Sequence, residues 1–357
     1  MAAAKANTPG RDRTTEYHRQ FADSIIRHIE AGTAPWQKPW KSGQRFLPEN
    51  ALSGQPYRGG NALYLALTGQ GRGFADNRWA TYRQIAQAGG HVKKGERGEK
   101  ILYFDTKKLS PQKDENGRQV LDNDGRPVYE RYERGRAFVR TYTVFNVEQT
   151  RGLDLPAREA PVADWQAHQS AEAVIDAANV TIKHSPGDRA YYAPKPDRIV
   201  LPERAQFPSA EHYYATALHE LSHATGHESR LNREVFQKGV MAGFGTPEYA
   251  REELRAEISA MMTGERIGIG HTPQGGHGNG AAYVKSWVQA LKNDPREIHR
   301  AAGEAERISR YLVEPARERI EQIGRDKPPA LDAAAMRVPG LPPPTPARQQ
   351  PDMTPGR

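Results

Sequence analysis

The chain has 357 residues, no cysteine and a formal net charge of +8 at pH 7. That length allows two domains with full cores, and the missing cysteine excludes disulfides, thiolate zinc sites and cysteine nucleophiles, leaving His, Asp and Glu to hold any metal. No apolar run approaches the roughly 18 residues of a membrane span, and MAAAKANTPGRDR lacks the apolar core of a signal peptide, so the chain reads as soluble and intracellular.

The charge is uneven. Residues 1–150 carry 25 Lys and Arg against 16 Asp and Glu, a net of +9, whereas residues 151–357 carry 26 against 27. The imbalance gives the two halves different partners and points the first toward a polyanion, nucleic acid above all.

In chain order, a polar lead (1–13) precedes a helix over Tyr17 to Ala31, where Phe21, Ile25, Ile26 and Ile29 share a face and Gly32 and Pro35 end it. Helices are expected at Asn61–Thr68 and Trp79–Ala88. ILYFDTKKL and AFVRTYTVFNV read as strands, with DENGR and DNDGR between them as turns of an exposed hairpin. These elements form a first domain over 14–153, and 154–164 is a linker. A second domain over 165–326 holds a helix at Ala171–Asn179, a strand at VTIKH and strands around a turn in RAYYAPKPDRIVLP. Helices follow at Ser209–Thr225, Pro247–Gly264, Ala281–Lys292 and Pro295–Val313. The tail, 327–357, has 9 prolines in 31 residues and reads as disordered. The fold class is therefore α+β in two domains.

The Ser209–Thr225 segment contains HELSH. On a helix, positions four apart lie side by side, so His219 and His223 can share one Zn²⁺ while Glu220 sits beside them as general base. Such a pattern arises by chance on the order of 0.03 times in a chain of this composition, which disfavours coincidence. A third ligand is needed. The longer pattern HExxHxxGxxH fails because its last position is Ser229, and His227 comes too early, leaving it an alternative only. REELRAEI offers Glu252, Glu253 and Glu257; Glu253 ranks first as ligand and Glu257 second, the other buttressing a histidine ring. The reading is a zinc metallopeptidase. Tyr191, Tyr192, Tyr213, Tyr214 and Tyr249 are candidates for oxyanion stabilisation, and DRIVLP for an edge strand on which a peptide could lie.

The basic half interleaves rings and cations, as single-strand binders do. Trp36, Lys38, Trp40 and Lys41 fall in AGTAPWQKPWK. Arg58 and Asn61 lie in YRGGN, and Arg78, Trp79 and Arg83 in RWATYRQ. Lys93, Lys94, Arg97 and Lys100 surround glycines whose turns expose backbone N–H groups to phosphate.

These segments together are recognisable. From Tyr17 to Leu153, with AGTAPWQKPW, YRGGN, RWATYRQ, GGHVKKGERGEKI and TVFNVEQTRGL in order, the chain resembles the N-terminal single-stranded-DNA-binding domain of ArdC-type antirestriction proteins and of plasmid TraC-type primases. From Asp164 to Val313, with TALHELSHATGHESRLNR, REELRAEI and YVKSW, it is similar to the zincin-type metallopeptidase domain that follows in ArdC. The resemblance implies a protein of conjugative plasmids or mobile elements, acting in the bacterial cytoplasm, that protects incoming DNA from restriction by binding single strands. It makes His219 and His223 metal histidines, Glu220 the base and a REELRAE glutamate the acidic ligand. A DNA-bound protein, such as a host restriction component, is the implied substrate. No primase or helicase segment follows residue 330, so primase activity is not expected. Two other readings stand beside this one: a DNA-binding module with a structural zinc, and a general zinc protease.

Overall fold

The computed structural model describes residues 9–37, 46–115, 117–122, 125–156, 164–236, 246–271 and 281–326. Lys38, Trp40, Lys41 and the tail from 327 lie outside them. Helix α1 (Pro9–Glu30) leads to β1 (Glu49–Asn50), α2 (Gly59–Gly71), β2 (Arg78–Thr81), α3 (Tyr82–Gln87) and β3 (His91–Val92). The long pair β4 (Glu99–Pro111) and β5 (Tyr129–Asn146) follows, then β6 (Thr150–Arg151). The second half runs α4 (Asp164–Ala177), β7 (Thr181–Ser185), β8 (Tyr191–Ala193), β9 (Arg198–Pro202), α5 (Ala210–Ala224) and α6 (Pro247–Arg266). It closes with α7 (Ala281–Asn293), α8 (Glu297–Val313) and α9 (Arg317–Arg325). Among the described residues no helix is long and apolar enough to cross a membrane.

The first half carries a four-stranded sheet in the order β1-β2-β5-β4 and a small β3-β6 pair; the second carries a three-stranded sheet, β7-β9-β8. Two expectations change here. The helix expected from Trp79 starts as strand β2, because Trp79 and Ala80 are buried in pairing with Asn146 and Phe145 of β5. The helix begins only after Thr81, whose side chain forms a capping box with Gln84. DRIVLP is not an edge: β9 is the central strand, parallel to β7 and antiparallel to β8, with four of its five residues buried. The edges are β7 and β8, each of which pairs on one side only.

Two large cores hold the molecule. One gathers α4, the three-stranded sheet, α5 and α9 around Ile199, Leu218 and Leu221. The other joins both halves: Phe21, Ile25 and Ile29 of α1, Trp36, and Leu63 and Leu67 of α2 pack with Leu254, Ile258 and Met261 of α6, Trp287 of α7 and Ile298 of α8. Along this seam α2 comes so close to α8 that a Cβ on Gly60 would lie 1.9 Å from Nδ1 of His299. Only glycine permits that approach. His299 in turn meets His18 of α1 edge to face, ring centroids 4.6 Å apart.

Candidate metal centre and nucleic-acid interface

Helix α5 starts at Ser209, whose hydroxyl accepts the His212 N–H, and α6 at Thr246, which caps Tyr249 N–H ahead of Pro247. With both starts fixed, the two helices pack so that α6 faces the HELSH side of α5. Nε2 of His219 and Nε2 of His223 lie 3.1 Å apart. Glu253 closes the group, with one carboxylate oxygen 3.6 Å from His219 Nε2 and the other 3.4 Å from His223 Nε2. One ligand atom from each residue lies within 4.8 Å of the others, and all three side chains are buried.

The neighbours of this triad account for the other glutamates. Glu252 lies 3.2 Å from His223 Nδ1 and is itself gripped by Arg233, which also donates to the Thr225 hydroxyl and the Ser222 carbonyl at the end of α5. Glu257 sits 3.8 Å from His219 Nδ1. Each histidine thus presents Nε2 to the centre and has a carboxylate behind Nδ1, the arrangement that orients metal-binding imidazoles. Glu220 is buried beside them.

Four buried carboxylates against one guanidinium and two imidazoles leave a surplus of negative charge that burial alone makes costly. Burial pushes His223 down, but Glu253 and Glu252 outweigh it and hold it well above the ordinary histidine value. Burial raises Glu253 as well, and there the two histidines win, holding it below the carboxylate range. Burial pushes Glu257 up to about 7, with Glu253 and Glu220 adding to it, and burial raises Glu220 against the pull of both histidines. Both oxygens of Glu257 and Nδ1 of His219 have no hydrogen-bond partner among the described residues. A divalent cation among His219, His223 and Glu253 would supply the missing positive charge, so the residues fit a metal ion.

His227 is directed elsewhere, its Nδ1 2.8 Å from the Ser229 hydroxyl and 3.8 Å from Asp197. Three of the candidate tyrosine hydroxyls are engaged: Tyr192 donates to Asp197, Tyr214 to Glu172, and Tyr213 lies 3.2 Å from His184 Nε2. Tyr249 packs at the edge of the shared core, and Tyr191 is exposed.

The cationic residues of the first half divide by environment. Trp36 and Trp79 are fully buried core rings, which removes them from any stacking surface in this conformation. Asn61 clamps β4, its amide donating to the Leu102 carbonyl and accepting the Leu102 N–H. Arg78 is paired with Asp76, and Lys93 donates to the Glu148 carbonyl. Arg58, Arg83, Lys94, Arg97 and Lys100 are exposed. Sequence reasoning missed Tyr103 and Tyr142, which stand 52% and 40% exposed with rings in edge contact at 5.8 Å. The alternation of β4 carried the signal, since Ile101 and Tyr103 share a face and pair with Tyr142 and Arg140.

Residues 15–145 match the N-terminal domain of anti-restriction factor ArdC, and residues 169–304 match a zincin-like metallopeptidase. The crystal structure of antirestriction ArdC protein from the R388 plasmid, metal-free, superimposes with a TM-score of 0.63 at 37% identity, covering 84% of this chain and 98% of that one. This chain belongs to the ArdC family. The Mn(II)-bound structure of the same ArdC protein is similar over the same shares, with a TM-score of 0.63 at 35% identity. Two Escherichia coli proteins named DNA primase TraC are 44% and 45% identical over 308 and 309 residues, 86% of this chain in each case. The chain spans only 20% and 28% of their lengths. The ArdC family match thus confirms the two-domain α+β class, and the zincin-like match contains His219, Glu220, His223 and all three glutamates of REELRAE.

Proposed function

We propose that the protein is an antirestriction factor that binds single-stranded DNA through its basic half and carries in its other half a zinc-dependent peptidase centre directed at DNA-bound protein, such as a host restriction component. The observation that carries the catalytic part is the convergence of His219, His223 and Glu253 with Glu220 at their side. Two imidazoles and a carboxylate form a ligand set suited to catalytic zinc. When bound, the ion supplies Lewis-acid polarisation of a carbonyl and acidifies water.

The chain's own residues do the rest. Glu220 takes the proton of the attacking water at its carboxylate and passes it to the departing amine. Edge strand β8 packs against α5, which carries Glu220, and would offer its free edge to an extended peptide. Glu252 holds the ring plane of His223, Arg233 keeps Glu252 charged and in place, and Glu257 faces Nδ1 of His219 at 3.8 Å.

The test is Glu220→Gln in the full chain, with metal content, peptide cleavage and protection of transferred DNA all measured. The expected outcome is full metal occupancy with cleavage reduced by about 10²-fold or more. Undiminished protection together with lost cleavage would assign protection to DNA shielding alone, and a wild type that cleaves nothing while holding its metal would make the zinc structural.

A further inference from the structure

A cleft of about 830 Å³ opens where the start of α2 and the strand β4 meet helix α8. Its walls come from both halves: Arg58 and Tyr103 from the basic half, Arg307 and Arg310 from α8. The side chains of Arg58 and Arg307 are exposed and have no ionic or hydrogen-bonding partner among the described residues. Arg310 shares Glu306 at 3.1 Å and is still 43% exposed. The one acid in the cleft wall, Glu306, is already engaged by the Gly59 N–H at 2.7 Å and by Arg266 at 3.1 Å. The cleft is therefore a concave wall with more guanidinium than carboxylate charge, in which Arg310 and Arg300 are ion-paired and Arg58 and Arg307 have no partner among the described residues; such a wall focuses potential toward an anion and suits the forked geometry of phosphate. At its rim stands Tyr103, and beyond Tyr103 stands Tyr142, the exposed pair of rings on the sheet face.

We infer that single-stranded DNA lies across this seam, bases stacking on Tyr142 and Tyr103 while phosphates pass into the cleft to Arg58, Arg307 and Arg310, so that α8 is part of the DNA site. The inference rests on the single-strand-binding reading above and extends it to a surface that the basic composition of the first half does not indicate. Stacking rings require unpaired bases and accept any of them, and the adjacent guanidiniums follow the backbone. The arrangement also has a geometric result. Helix α8 packs on α6, which carries Glu253, and Arg307 additionally borders a second cleft with Arg233 and Glu252. A strand seated here is held at a fixed distance from the metal centre.

The test uses the full-length, metal-loaded protein and a fluorescent oligodeoxythymidylate, with anisotropy titrations over a series of salt concentrations and a duplex as comparison. Tyr103→Ala with Tyr142→Ala should weaken single-strand binding about tenfold or more, leave the salt slope unchanged and erase the preference over duplex. Arg58→Ala with Arg307→Ala should lower the log–log salt slope by about 0.7 for each phosphate no longer neutralised, and Arg307→Lys should restore its share. All four side chains are exposed, so melting temperature and metal content should match the wild type and separate a binding loss from a folding loss. If the wild type binds and the arginine variants keep its affinity and slope, the seam is not the path, while single-strand binding itself survives. A wild type that binds no oligonucleotide overturns the underlying reading as well. Duplex bound as tightly as single strand, insensitive to the tyrosines, would reduce the cleft to a general polyanion site and overturn the stacking seat.

Discussion

His219 and His223 stand together because an α-helix places positions four apart on one face, whatever surrounds it. Trp36 and Trp79, set among as many cations in the sequence, are carried to the interior by packing that no local rule contains. The candidate metal centre is built on spacing within α5, closed by one glutamate from α6. The proposed DNA-facing surface is what remains after the cores have taken the rings they need, with Tyr103 and Tyr142 exposed on paired strands. Chemistry that needs fixed short distances is written locally; a binding face is decided by which side chains folding leaves outside.

The largest effect that bears on this contrast is Trp79→Ala, which should destabilise the fold by about 3–5 kcal/mol in urea unfolding, as removal of a fully buried indole does. An unfolding free energy near that of the wild type with single-strand binding selectively lost would return Trp79 to the binding surface and break the comparison. Chelation comes next. With the metal at about 100 times its dissociation constant, its removal should cost about 2.7 kcal/mol of stability, an effect absent in His223→Ala. A chelator that leaves the melting temperature of the wild type unmoved would mean that the ion does not bind the folded chain tightly.

The third effect concerns the seam. Burial pushes His299 down to about 3, helped by His18, and burial lowers His18 too, with Arg296 and Arg300 adding and Asp294 opposing. A histidine depressed in the folded state leaves stability intact above its unfolded value near 6.5 and loses it as pH falls below that value. His299 alone should therefore cost on the order of 2 kcal/mol between pH 7.5 and pH 5. Denaturation at the two pH values should show this loss, and His299→Gln should flatten it; an equally steep curve in the variant would place the titration elsewhere. The smallest effect is the sharpest control. Tyr103→Ala should change stability by no more than about 0.5 kcal/mol, because its ring is half in water. A cost several times larger would make that ring structural, as the tryptophans are.

Much of the metal centre is legible in the sequence. HELSH places both histidines of the cluster on one helix face, and REELRAEI supplies the helix that faces them, because helical periodicity survives any packing. Which of two adjacent glutamates turns inward is not legible in full: both Glu252 and Glu253 do, and the assignment of one to the cluster and the other to the back of His223 depends on how α6 crosses α5. Arg233, which holds Glu252, lies on the segment after α5 and has no periodic signal at all. The placement of DRIVLP fails for a related reason. An apolar run with a charged start suits an edge or a centre, and only the pairing of β9 with both β7 and β8 decides between them. The hairpin turns are readable from Asp and Gly, and Gly117 and Gly125 indeed take positive φ of 77° and 76°.

The core in which Phe21, Trp36 and Leu63 meet Leu254, Trp287 and Ile298 also bears on how such a gene can be rearranged. A recombination point between the two halves would join an α1 and α2 shaped by one partner to an α6, α7 and α8 shaped by another. Mismatched methyl groups across that surface cost stability even when each half is sound. The segment shared with the two TraC proteins is 308 and 309 residues long and so runs straight through that point. A common interior favours keeping both halves together.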